Sequence, residues 1–268
     1  MRRLLTFACA GETLAGSLDA ASGFTGLLLV TGGGQTRVGS HRMYERLAAA
    51  LAASGTPCFR FDRRGVGESS GDDPGFRGSG PDIAAAVAAF RAEQPQIERV
   101  IGFGLCDGAS ALALEGEAAG LNGMILVNPW FVEAASGAPP PAAIKAHYRK
   151  RLSSLSGWRD LLGGSISYRK LLKGVLRMMK PPRQDLAEDI ARALGRQKGR
   201  IGLILAKEDA TAVAAEAVWR SAPFRAARDR GGPVIHLATN SHTFAHPGDA
   251  QLLLAATLAS LKSLGHTS

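Results

Sequence analysis

The sequence predicts an α/β fold: a doubly wound, mostly parallel sheet of eight strands that carries a helical cap insertion. Strand-like and helix-like segments alternate along most of the 268 residues, which is typical of parallel β-α-β units. Several strand-like segments are continuous apolar runs, as expected for strands that are buried on both faces. The 33 glycines are spread without a period and supply tight turns between many short elements.

The first part of the chain predicts a hairpin followed by a parallel sheet. Two alternating segments, residues 3–8 and 13–19, predict antiparallel strands. The apolar run at residues 26–30 then ends in Thr31-Gly32-Gly33-Gly34, which indicates a buried strand that feeds a glycine loop. The elements expected next are helix 40–54, strand 58–61, helix 82–93, strand 100–105, helix 109–119 and strand 124–127.

The alternating pattern is lost after residue 129 and resumes near residue 199. The intervening segment is rich in helix formers and contains proline clusters. The elements expected after it are strand 201–206, helix 212–219, strand 234–238 and helix 249–261. We therefore predict a core domain of residues 1–129 and 199–268, and a helical cap of residues 130–198.

The net charge of +9 is concentrated in the predicted cap. Residues 142–200 hold 15 Lys and Arg against four Asp and Glu, so this segment carries +11 and the rest of the chain carries −2. This charge indicates either a solvated helical face or attraction of an anionic partner, such as an acidic substrate or a membrane surface. Nucleic acid is not expected, because no aromatic-interleaved or helix-turn-helix pattern accompanies the charge.

The three cysteines, Cys9, Cys58 and Cys106, match no zinc-binding spacing, and their odd number argues against a disulfide framework. The apolar stretch at the N-terminus is too short for a signal peptide, and no run reaches the roughly 18 apolar residues of a membrane span. We therefore expect a cytoplasmic protein without a metal or an organic cofactor.

The most informative motif is Gly104-Leu105-Cys106-Asp107-Gly108, which lies where a strand ends and a helix begins. This is the pattern G-x-nucleophile-x-G, in which the central side chain projects from a sharp turn. The Asp107 amide would then stabilise the oxyanion, while the helix N-terminus favours negative charge on the Cys106 sulfur. The alternative interpretation is that Cys106 is a small buried hydrophobic residue in a β-α turn.

An acid and a histidine follow the next two strands in the order of a catalytic triad. Asp209 follows strand 201–206, and His242 follows strand 234–238. Glu208 is the rival for the acid, although Asp209 is favoured.

The remaining candidates lie in loops or in the cap. Gly33 or Gly34 is expected to supply the second oxyanion amide. Gln35, Trp130 and His147 are candidate substrate-binding residues. Gly67-Glu68-Ser69-Ser70-Gly71 also fits G-x-S-x-G, but Asp72-Asp73-Pro74 follows it instead of a helix, so we interpret it as a decoy.

These motifs resemble the α/β-hydrolase superfamily. Phe61-Asp62-Arg63-Arg64-Gly65-Val66-Gly67-Glu68-Ser69 is similar to its D-x-R-G-x-G-x-S loop. The segments Gly39-Ser40-His41-Arg42, Asn128-Pro129-Trp130, His147-Tyr148 and Ser241-His242-Thr243-Phe244 look like the type 1 hydrolases associated with the exosortase A system, which are found beside bacterial exopolysaccharide genes. The cysteine in the elbow is also similar to that of dienelactone hydrolases, which use a Cys-His-Asp set.

The sequence and the resemblance together predict a cysteine-nucleophile acyl hydrolase. Its substrates are expected to be small-molecule or carrier-bound esters, lactones or thioesters. The alternative is a catalytically silent hydrolase fold that serves as a binding or scaffold protein in a polysaccharide-export assembly. One feature opposes the enzyme: the Asp107 carboxylate beside the thiol disfavours a thiolate unless it faces away or pairs with a cation, such as one from the cap.

Overall fold

The computed structural model describes residues 2–132 and 185–265, and these form one eight-stranded sheet in the order β1-β2-β4-β3-β5-β6-β7-β8. The strands are β1 (Arg2–Cys9), β2 (Glu12–Asp19), β3 (Thr25–Val30), β4 (Cys58–Phe61), β5 (Arg99–Leu105), β6 (Gly123–Val127), β7 (Ile201–Ala206) and β8 (Val234–Leu237). Strand β2 pairs antiparallel with β1 and β4, and every other pair is parallel. The predicted fold class is confirmed.

The described helices cover both faces of this sheet. They are α1 (Met43–Ala53), α2 (Gly80–Glu93), α3 (Asp107–Glu115), α4 (Asp185–Arg196), α5 (Ala210–Trp219), α6 (Arg225–Asp229) and α7 (Asp249–Gly265). Among these described helices, none is long and apolar enough to cross a membrane.

Two hydrophobic cores lie on the opposite faces of the sheet. Leu28 and Val30 of β3 pack into the first core, whereas Leu27 and Leu29 pack into the second. Because side chains alternate along a strand, this continuous apolar run fills both cores at once. Helices α2, α3 and α4 contribute to the first core, and α1 and α7 contribute to the second.

Helix α4 lies within the sequence assigned to the cap but packs on the core. Leu186, Ile190 and Leu194 are fully buried at a spacing of four residues, which places them on one helical face. They belong to the first hydrophobic core, beside α3 and α6. Residues 133–184, which include His147 and most of the predicted cap, lie outside the described residues.

Four helices begin two or three residues away from the predicted start, and the starts of α1 and α3 bear on the site. Helix α1 begins at Met43 because a 3-10 turn at Ser40–Arg42 precedes it, with His41 and Arg42 in the left-handed region. Helix α3 begins at Asp107 instead of residue 109, since β5 passes into it through a single residue, Cys106. The nucleophile candidate therefore sits directly at a helix N-terminus.

Candidate active site

Cys106 occupies a strained turn between β5 and α3. Its φ of 58° and ψ of −122° lie in a region that residues other than glycine rarely adopt. A Cβ on Gly104 would come within 2.6 Å of the Gly108 carbonyl oxygen, and a Cβ on Gly108 would come within 2.5 Å of the Val30 carbonyl oxygen. Both glycines are thus needed for helix α3 to approach the sheet closely. The turn leaves Cys106 half-buried, whereas Cys9 and Cys58 are buried.

The imidazole of His242 lies between an acid and the thiol. Its Nδ1 is 3.1 Å from Oδ2 of Asp209, and the Cys106 side chain is near enough to the ring to raise its pKa. The side chain of Asp209 is 9% exposed and that of His242 is 32% exposed. The three candidate triad residues are therefore brought together in space, although 33 residues separate His242 from Asp209 and more than 100 separate it from Cys106.

Asp209 is held in place by the helix that follows it. It is the N-cap of α5, and its Oδ2 accepts a hydrogen bond of 2.9 Å from the Ala212 amide. The same oxygen faces His242, so the capping interaction fixes the carboxylate where the imidazole meets it. Glu208, the rival acid, is exposed.

The surroundings of His242 favour its charged form. The hydrogen bond with Asp209, followed by the one with Cys106, raises the pKa of His242 to about 10, against the opposing effect of its burial. At neutral pH the imidazole therefore carries a proton. A protonated imidazole beside sulfur is the arrangement in which a thiolate can be held without a separate base.

The glycine loop after β3 is joined to the nucleophile turn by Asp107. The Asp107 Oδ2 accepts a 2.7 Å hydrogen bond from the Gly33 amide, so this amide is already engaged. The Gly33 carbonyl in turn accepts a 2.5 Å hydrogen bond from the buried guanidinium of Arg63. The Gly34 amide and the Asp107 amide have no hydrogen-bond acceptor among the described residues. The Asp107 carboxylate thus gains an amide partner instead of a cation.

A buried tyrosine that belongs to none of these motifs is hydrogen-bonded to the residues that precede the glycine loop and Cys106. The Tyr44 hydroxyl is 3.2 Å from the Val30 carbonyl oxygen, to which it donates, and 3.2 Å from the Leu105 amide, from which it accepts. Val30 precedes the glycine loop and Leu105 precedes Cys106. The only signal in the sequence is an aromatic residue with a hydroxyl group on the buried face of α1.

The other predicted site residues have varied positions. Gln35 donates from Nε2 to the Ser40 hydroxyl at 3.0 Å, and Trp130 is half-buried with its amide 3.1 Å from the Cys106 carbonyl oxygen. Ser69 of the decoy motif is buried and donates to the Asp62 carbonyl at 2.7 Å. Within residues 2–132 and 185–265, no cluster of His, Cys, Asp and Glu is arranged to hold a metal ion.

Replacing Asp209 by asparagine is expected to lower kcat by roughly 100-fold or more with little change in KM, since the amide can still cap α5 but no longer stabilises the imidazolium. Asp209→Ala should lose the cap as well and destabilise the protein by about 1 kcal/mol. Steady-state kinetics and thermal melts measure the two effects. Glu208→Gln is the matched control, and a loss of kcat there with none in Asp209→Asn would transfer the acid role to Glu208.

Comparison with solved structures shows the same overall fold. An esterase of Pyrococcus furiosus, Pf2001, superposes with a TM-score of 0.65 at 16% identity, covering 99% of this chain and 93% of its own. The α/β hydrolase GrgF of Penicillium sp. sh18 has the same score and identity over 99% and 100% of the chains. A thermostable carboxyl esterase of Bacillus coagulans gives 0.61 at 15% identity over 98% of each chain.

Sequence comparison adds the family. No protein with a curated function matches this chain. A family model described as the alpha/beta hydrolase family matches residues 27–267, which is most of the chain and includes Cys106, Asp209 and His242. This chain therefore belongs to the alpha/beta hydrolase family and is a hydrolase.

Proposed function

We propose that this hydrolase cleaves esters, lactones or thioesters through a covalent acyl-cysteine intermediate. Cys106 is the nucleophile, His242 is the acid and base, and Asp209 orients and stabilises the imidazolium. The observation that carries the proposal is the imidazole of His242 held between the Asp209 carboxylate and the Cys106 thiol. A half-exposed cysteine in such a set favours an enzyme over a silent scaffold.

The first half of the reaction acylates the cysteine. With the proton resting on His242, the Cys106 sulfur attacks the substrate carbonyl carbon, and the carbonyl oxygen becomes an oxyanion. When the tetrahedral intermediate collapses, the bond to the leaving group breaks and His242 gives its proton to that group. The products of this half are the free alcohol or thiol and a thioester on Cys106.

The second half returns the enzyme to its starting state. The neutral His242 takes a proton from water, and the resulting hydroxide attacks the thioester carbonyl. Collapse of this intermediate expels the Cys106 thiolate and releases the carboxylic acid. The amides of Asp107 and Gly34 are the proposed oxyanion donors, because they are without acceptors among the described residues while the Gly33 amide is engaged by Asp107.

The substrate class rests on the chemistry of sulfur and on the neighbours in structure. Thiolates react well with acyl groups that carry good leaving groups. The structural neighbours include esterases and a thioesterase domain from the curacin biosynthetic pathway, the latter with a TM-score of 0.57 at 13% identity. Trp130, Gln35 and His147 remain proposed substrate-binding residues.

Selective alkylation tests the nucleophile. Iodoacetamide is expected to modify Cys106 at least about tenfold faster than Cys9 or Cys58, because Cys106 combines exposure with a neighbouring imidazolium. Burial raises the pKa of both other thiols, which slows their reaction. Peptide mapping by mass spectrometry gives the three rates. The proposal fails if Cys106 proves the slowest of the three.

The basic segment suggests an anionic partner, and we propose an acidic or carrier-bound acyl substrate, or peripheral contact with an anionic membrane surface. The odd number of cysteines supports a cytoplasmic location, and the motif resemblance supports a link to exosortase and exopolysaccharide systems.

Salt should weaken this association. Binding to vesicles that contain an anionic lipid, or kcat/KM for an acidic substrate, is expected to fall about tenfold between low and physiological ionic strength, where the screening length shortens to about 8 Å. A vesicle sedimentation assay with Arg149→Glu combined with Arg151→Glu provides the control. Binding that is indifferent to both salt and this charge reversal would identify the segment as a plain solvated surface.

A further inference from the structure

A buried asparagine stands where β6 ends, beside the candidate triad. Asn128 has no exposed surface, and its φ of 39° lies in the left-handed region. Asparagine tolerates this conformation better than most residues other than glycine. The backbone turns here so that the side chain lies between the end of β7 and the loop that carries His242.

Both polar atoms of the Asn128 side chain form hydrogen bonds. Its Nδ2 donates a 3.0 Å hydrogen bond to the main-chain carbonyl of His242, and its Oδ1 accepts a 2.8 Å hydrogen bond from the Ala206 amide. The backbone N–H of Asn128 also donates to the Ile204 carbonyl at 3.0 Å. One buried side chain therefore ties the His242 loop to the carboxyl end of β7.

These bonds reach the acid as well as the base. The backbone N–H of Ala206 donates to the Asn128 side chain, and the carbonyl of Ala206 accepts a 3.1 Å hydrogen bond from the Asp209 backbone N–H. The N–H of Ala206 is thus linked through Asn128 to His242, and its carbonyl is linked directly to Asp209. Within the described part of the chain, the bond from Asn128 is the one hydrogen bond to the main chain of His242.

We propose that Asn128 is a positioning residue that holds the imidazole of His242 in register with Asp209 and Cys106. It does not touch substrate, and its effect on turnover rests on the proposed acyl-cysteine function. The amide is required because it must donate to one carbonyl while it accepts from one N–H group. Aspartate keeps the acceptor for Ala206 but presents an oxygen to the His242 carbonyl oxygen. Glycine suits the positive φ and removes both bonds.

Two variants separate positioning from folding. Asn128→Asp and Asn128→Gly are each expected to lower kcat by roughly 10- to 100-fold, with KM within about threefold of wild type, because small displacements of an acid–base group have effects of this size. The low-field proton resonance of the His242 Nδ1–H group, assigned by its loss in His242→Ala, should broaden or move in both. Thr257→Val is the matched control: it removes the buried 2.7 Å bond to the Leu253 carbonyl in α7 and should lower Tm without changing kcat.

The readouts keep the two proposals apart. If Asn128→Asp and Asn128→Gly keep wild-type kcat and the wild-type proton resonance while losing only Tm, Asn128 is merely structural and the inference is overturned. If the wild-type enzyme turns over none of a panel of p-nitrophenyl esters and acyl thioesters, the proposed function fails. The proton resonance and the rate of Cys106 alkylation then still report on the position of His242, and an unchanged pair of values in both variants overturns the inference.

Discussion

Replacing Cys106 by alanine is expected to abolish ester and thioester hydrolysis, with a loss in kcat of at least about 10⁴-fold. Without sulfur no acyl-enzyme forms, and the remaining amides can only bind the substrate. Initial rates on p-nitrophenyl acetate and on a short acyl thioester measure the loss. Intact-mass spectrometry after rapid quenching should show an acyl adduct on the wild-type protein and none on Cys106→Ala.

Two further variants define this result. Cys9→Ala removes a buried thiol at the end of β1 and should leave kcat unchanged. Cys106→Ser keeps a nucleophile of similar shape, but a hydroxyl needs a stronger base than a thiol, so its turnover should fall well below that of the wild type. Hydrolysis that survives in Cys106→Ala would show that the chemistry lies elsewhere in the molecule.

Replacing His242 by alanine is expected to lower kcat by about 10³- to 10⁴-fold, because both the proton for the leaving group and the base for water are lost. Alkylation of Cys106 by iodoacetamide should slow in the same variant, since the neighbouring imidazolium is gone. His246→Ala is the matched control, because His246 is exposed and its ring Nε2 lies 2.8 Å from the Asn240 Oδ1, away from the triad residues in the hydrogen bonds of the described chain. A wild-type rate of Cys106 alkylation in His242→Ala would show that His242 does not activate the Cys106 thiol.

The same substitution has a pH-dependent effect on stability. The folded-state pKa of His242 is about 10, above its ordinary value of 6.5, so the protonated form stabilises the folded protein. This contribution is fully present below about pH 6.5 and is lost as the pH rises through about 10. The difference in Tm between wild type and His242→Ala should therefore be largest near pH 6 and should shrink toward pH 10. A difference that grows with pH would contradict the assigned protonation.

The sequence by itself determines the architecture and the position of the strand–turn–helix unit that carries Cys106, the proposed nucleophile. Apolar runs such as residues 26–30 reveal buried parallel strands because every side chain in them faces one of two cores. The pattern around Cys106 is also local, since its two glycines are demanded by backbone contacts within one strand–turn–helix unit and with the adjacent strand. Periodicity and local sterics are properties that a linear sequence can display.

The tertiary structure alone decides how loops distant in sequence meet. Asp209 caps α5 and faces His242, whereas neighbouring Glu208 is exposed. The sequence favours Asp209 but leaves Glu208 as a rival. Two hydrogen bonds likewise join residues far apart in sequence. The Gly33–Asp107 bond spans 74 residues, and the Asn128–His242 bond spans 114 residues. Side-chain directions and hydrogen-bond partners of this kind depend on how the carboxyl ends of β3, β5, β6 and β7 align in the sheet. No local sequence pattern encodes that alignment.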